Sequence, residues 1–165
     1  MQQEEILSQF TSVSAELLEI ISSTGDERLQ AAPATGGWSL AQIAEHLLKT
    51  YASVNVMNGN VKPTERAPDE KVQGIKQLFL DYGIKMSAPV EVLPSPGPID
   101  RTSLVKGLEK RISQMKEVLT NKDLSLTCVD FQIPGYGEFT RLEWMCFNTF
   151  HTQRHIRQMN QILVP

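Results

Sequence analysis

Six of the nine prolines in this 165-residue chain are Pro63, Pro68, Pro89, Pro94, Pro96 and Pro98. Proline lacks a backbone N–H and its ring clashes with the preceding turn, so no long helix crosses this stretch. The flanks read differently. Ile6, Phe10, Val13, Leu17, Leu18 and Ile21 recur mostly three or four apart, which predicts an amphipathic helix from about Gln3 to Ile21. Gly25 and a polar run with Pro33, Gly36 and Gly37 read as a loop. Ser39 and Gln42 then form a capping box, with Trp38 and Ile43 as its hydrophobic staple. The second helix follows, burying Leu40, Ile43, Leu47, Tyr51 and Val54.

Beyond the prolines the helical grammar returns. A third helix is expected from Asp100, stapled by Ile99 and Leu104, through Leu108, Ile112 and Met115 to about Leu119. Residues 121–139 carry Pro134, Gly135 and Gly137 and an apolar LTCVDFQI that suits extended backbone. Thr140 with Glu143, and Phe139 with Trp144, repeat the box and staple, opening a fourth helix that runs almost to Pro165. KVQGIKQLFLDYG supplies at most a short helix inside the proline stretch. The expected fold is all-α: a four-helix bundle with a long crossover connection between helices 2 and 3, residues 1–165 forming one domain.

The chain contains three histidines, His46, His151 and His155. Four residues apart on a helix, His151 and His155 share one face at about 40°. On the same wheel Trp144 falls at about 20°, Phe147 at about −40° and Gln158 at about −20°. The pair therefore sits in the middle of the inward face. Histidines buried singly are usually hydrogen-bonded core residues. Two neighbouring buried imidazoles are harder to accommodate, because each must replace its lost hydration with a partner. A shared metal ion removes that difficulty, and His46 from the second helix would complete three nitrogen ligands with a position left open, as in catalytic zinc sites. Gln42, Asn148 and Gln158 flank these faces as candidate ligand-orienting or pocket residues, and Trp144 and Phe147 as candidate lining.

Several chemistries are excluded or disfavoured. The residue after His151 is Thr152, so the HExxH general base is missing. Glu45 and Glu143 point off the histidine faces, which disfavours a di-iron carboxylate centre. No GxGxxG, Walker or GxSxG motif occurs. Cys146 lies about 140° from His151, so an activated thiol is disfavoured, and Cys128 and Cys146 form no CxxC. Charged residues are 21 % of the chain, the formal charge is −3 and no basic tract stands out, so neither nucleic acid nor an anionic membrane is an expected partner. The acidic MQQEEILSQF does not read as a signal peptide, and the expected compartment is the cytoplasm.

GGWSLAQIAEHLLKT resembles the second-helix motif of the DinB-like (DinB/YfiT) superfamily, W-S-x6-H. FHTQRHIRQMNQI is similar to that family's H-x-x-x-H-x-x-Q ending, and the ordered set spans the chain. The resemblance implies a four-helix bundle with a long crossover, and a divalent metal, zinc or nickel, held by His46, His151 and His155. It further implies a metal-dependent enzyme, a transferase acting with a low-molecular-weight thiol such as bacillithiol or mycothiol on a small-molecule substrate. Metal-dependent hydrolysis is a variant on the same site, and a homodimer is a further expectation. The alternative is a non-catalytic stress-response or small-ligand-binding bundle whose metal is structural or absent. No residue set names a catalytic acid or base.

Overall fold

In the computed structural model, which describes residues 2–164, the four expected helices are α1 (Gln3–Ser23), α3 (Leu40–Thr50), α6 (Arg101–Asn121) and α7 (Arg141–Leu163). Both capping boxes form. Ser39 accepts from the Gln42 amide and Thr140 from the Glu143 amide, while each N3 side chain returns to its cap. Asp100 caps α6 through the Ser103 amide. The α3 axis continues through a tight 3₁₀ turn, Tyr51–Ser53, into α4 (Val54–Met57), which keeps Tyr51 and Val54 buried in register with Leu47. The fourth helix ends at Leu163, and the expectation for Pro165 lies outside the described residues.

Two elements fall in stretches read as irregular. The polar run after Gly25 contains α2 (Asp26–Gln30), expected as loop. It places Asp26 and Glu27 in its first turn, where the helix dipole favours them, and buries Leu29 completely. A single apolar anchor carries no periodicity, so the pattern did not reveal it. Within the crossover, α5 (Val72–Leu80) buries Val72, Ile75 and Phe79 against α7. Of LTCVDFQI only Thr127–Cys128 is a strand (β2), paired antiparallel with Val61–Lys62 (β1), and Phe131 beyond it is exposed.

The helices pack as α1 on α6 and α7, and α3 on α6 and α7. Phe10, Leu17, Ile21, Leu47, Leu108 and Met115 are fully buried in the resulting core. The rest of the crossover lies over α3 as a strap. Ile99 exchanges two hydrogen bonds with the Gln30 side chain, at 2.6 and 2.9 Å, and residues 92–95 bind the polar flank of α3. Between α3, α5, α7 and the strap remains a cavity of about 1650 Å³, lined mainly by apolar side chains.

Candidate metal centre

On α3 the buried stripe Leu40, Ile43, Leu47 leaves His46 on its edge, where the helix turns from the core to the cavity. On α7 the next helix over, His151 and His155 face the same space. The three rings meet there. His46 Nε2 is 3.2 Å from His151 Nε2, which is 3.0 Å from His155 Nε2, and the three donor atoms lie within 4.8 Å of one another. All three residues are at least nine-tenths buried.

Hydrogen bonds on the far side of the rings settle which nitrogens carry lone pairs. His46 Nδ1 is 2.8 Å from the Val92 carbonyl, which can only accept, so Nδ1 donates and Nε2 is left as acceptor. His155 Nδ1 stands in the same relation to Gln158 Oε1 at 2.8 Å. Two lone pairs therefore converge on the His151 Nε2, which has at most one proton to offer. His151 Nδ1 is itself buried without a partner among the described residues. A protonated ring does not resolve this conflict. Burial pushes all three pKa values down, that of His155 to about 4 and that of His151 well below its usual range, with the neighbouring histidines adding to both effects. The cluster is neutral at pH 7.

A divalent ion fits this donor set. Tetrahedral zinc with nitrogens at about 2.0–2.1 Å separates adjacent ligand atoms by about 3.3 Å, close to the 3.2 and 3.0 Å from His151 Nε2 to the other two rings. Three imidazoles with Nδ1–H groups pinned on two of them, and an apolar cavity on the open side, are the arrangement of a three-ligand site with a free position.

The other expected site residues divide. Gln158 orients His155. Phe147 lies 5.8 Å from the His151 ring, and with Trp144 it lines the cavity. Gln42 does not touch a histidine: its amide is taken by the Ser39 cap and the Ser95 carbonyl. Asn148 is likewise occupied, by Ser53 and the Trp144 carbonyl. Trp38, read as a staple residue, also sets its ring 5.0 Å from His46 and lines the cavity. Glu143 is used by Arg66, at 2.7 Å to each oxygen, and Glu45 by Ser95, so neither carboxylate joins the cluster. Burial raises the thiols of Cys128 to about 11 and Cys146 to about 12, which leaves both protonated.

The sequence reading missed Phe79, whose ring is 4.9 Å from that of His151, and the Val92 carbonyl. The spacing of Val72, Ile75 and Phe79 could have found the first; a backbone oxygen leaves no such signature.

Residues 9–159 match the DinB superfamily. The chain belongs to that superfamily. It is 26 % identical over 164 residues to the uncharacterized protein YuaE of Bacillus subtilis (strain 168), the alignment covering 94 % of this chain and 96 % of YuaE. Its fold is similar to that of YfiT from Bacillus subtilis, a probable metal-dependent hydrolase with an unusual four-helix bundle topology, at a TM-score of 0.63 and 14 % identity. That likeness covers 98 % of this chain and 85 % of YfiT. In this DinB-superfamily chain, the histidines picked out by the family motifs are those that the fold brings into one cluster. No helix among the described residues is long and apolar enough to cross a membrane.

Proposed function

We propose that this chain is a metal-dependent transferase that activates a low-molecular-weight thiol and delivers its sulfur to an electrophilic small molecule in the cavity. The observation that carries the reading is the convergence of three neutral imidazole donors at a cavity wall, with no carboxylate in the cluster among the described residues. A zinc or nickel ion held by His46, His151 and His155 would lower the thiol's pKa and hold its sulfur as thiolate. Such chemistry needs no protein general base, since the thiol proton leaves to solvent. The C–S bond then forms as the leaving group departs with its electron pair.

The protein's own part is to hold and to shield. The Val92 carbonyl and Gln158 fix two ring orientations, and Phe79 and Phe147 exclude water from one side of His151. At about 1650 Å³ the cavity exceeds the roughly 300–1,000 Å³ that a single small ligand ordinarily fills, which suits two reactants. Metal-dependent hydrolysis is the second reading. It is favoured by the likeness to YfiT and disfavoured because no carboxylate joins the cluster among the described residues, the acid that lines the cavity, Glu91, being exposed on the strap.

Elemental analysis of protein purified without added metal should find a divalent ion in wild type and little in His151→Ala. Conjugation of bacillithiol to 1-chloro-2,4-dinitrobenzene should fall about a hundredfold or more on chelation and in that variant. Conjugation that survives both chelation and replacement of all three histidines rejects the reading. Metal-dependent ester or amide cleavage without thiol conjugation selects hydrolysis instead.

A further inference from the structure

At the aromatic end of the cavity, shut from solvent behind its rings, lies a hydrogen-bond donor without a partner among the described residues. Trp144 lines the cavity, is 2 % exposed, and its Nε1 meets no acceptor there. Indole N–H groups ordinarily find a partner when buried. The rings around it are Phe139 at 5.2 Å, Phe147 at 5.6 Å and Phe131 at 6.2 Å between centroids. They offer flat apolar faces and no lone pair. Phe131 is 53 % exposed on the loop after β2, so it is the neighbour that a ligand displaces most easily. Tyr82 and Met86 on the crossover, and Tyr136 on the β2–α7 loop, add exposed apolar surface at the same cavity. Trp144 and His151 lie seven positions apart on α7, about 10 Å along the helix.

We infer that Trp144 Nε1–H is the recognition point for the electrophile. The ligand is a flat aromatic or conjugated molecule whose neutral carbonyl oxygen accepts from the indole. Its reactive end extends along α7 toward the histidines, about two helical turns on. Only the assignment of that reactive end rests on the function proposed above. The acceptor is neutral because the rings packed on the indole, Phe131, Phe139 and Phe147, give an anion no charge in exchange for its lost hydration. Lys71, the cation over the Phe139 ring at 5.5 Å, is already held by the carbonyls of Tyr136 and Glu138.

Calorimetric titration of the protein as purified with 2-acetylnaphthalene and 2-ethylnaphthalene compares ligands with and without the carbonyl oxygen. Repeating both on Trp144→Phe cancels the ligands' own hydration difference. The ratio of the two affinities should fall about five- to tenfold in the variant, while 2-ethylnaphthalene binding changes less than about twofold. The chain has two tryptophans, so a ¹H–¹⁵N spectrum resolves the indoles, and Trp38→Phe assigns them if Trp144→Phe does not fold. The Trp144 indole proton should move downfield with the ketone and not with the hydrocarbon. An unchanged ratio, a stationary Trp144 resonance, or equal weakening of both ligands overturns the subsite. None of these readouts requires turnover, so they stand or fall separately from metal content and thiol conjugation.

Discussion

Gln158 acts on the centre without touching the point where the donors meet. By accepting from His155 Nδ1 at 2.8 Å it fixes the tautomer and turns the Nε2 lone pair inward. Gln158→Leu keeps the bulk and removes the acceptor, so His155 becomes free to rotate or to place its proton on Nε2. Zinc affinity, read by competition with a chromogenic chelator, should fall about ten- to a hundredfold with the helical signal unchanged. Unaltered affinity would show that packing alone orients the ring. Gln158 was legible in the sequence because i to i+3 on one helix face is a local relation. The same wheel argument placed Gln42 and Asn148 beside the histidines, and for them it was insufficient. A wheel gives direction and says nothing of competing partners. Gln42 is spent on its own N-cap and on Ser95, and Asn148 on Ser53 and the Trp144 carbonyl.

The crossover strap meets α3 along one polar flank. Gln42 donates to the Ser95 carbonyl, Glu45 accepts from the Ser95 amide and hydroxyl, His46 donates to Val92 and Lys49 to Leu93. Spaced i, i+3, i+4 and i+7, these residues form one stripe, opposed to the buried Ile43 and Leu47. Glu45 is thus a positioning residue: it clamps Ser95, and Ser95 keeps the Val92 carbonyl in reach of His46. Glu45→Ala should accelerate hydrogen exchange at residues 92–95 and weaken zinc binding about tenfold, while the core and the melting of the other helices hold. Exchange that speeds up with affinity intact would uncouple strap from centre. The caps of α3 and α7 were legible because Ser39 and Gln42, or Thr140 and Glu143, lie within one turn of each other. The strap was not, since its partners are chiefly backbone atoms 44 to 53 positions away that look alike in every sequence.

For the whole molecule, three buried neutral imidazoles make stability depend on pH. Each histidine has its folded pKa pushed below the usual 6.5, chiefly by burial, so below that pH the unfolded chain binds protons that the folded chain refuses. In metal-free protein the histidine contribution therefore causes no loss above about pH 6.5 and a growing loss as pH falls toward 4. From His155 alone, whose pKa is lowered to about 4, the loss is on the order of 3 kcal/mol. Asp100, Asp123 and Asp130 are held low by hydrogen bonds from Ser103, Ser125 and Asn60, and they add a loss of the same sign at more acid pH. The span from about pH 6.5 to 5 is where the histidines dominate. Thermal melts across that span should slope downward toward acid in metal-free wild type. They should be nearly flat when all three histidines are replaced by leucine. Added zinc raises stability by about 2.7 kcal/mol at a free concentration a hundredfold over its Kd. Protons compete for the same lone pairs only as pH falls through the lowered folded-state pKa values, about 4 for His155, so this increment holds just below pH 6.5 and shrinks toward pH 4. The curves with and without zinc should therefore run nearly parallel just below pH 6.5 and converge as pH approaches 4. Convergence that begins already at pH 6.5 would mean that the nitrogens holding the ion take up protons at their ordinary pKa. A slope that persists in the leucine variant would mean that another group carries the titration.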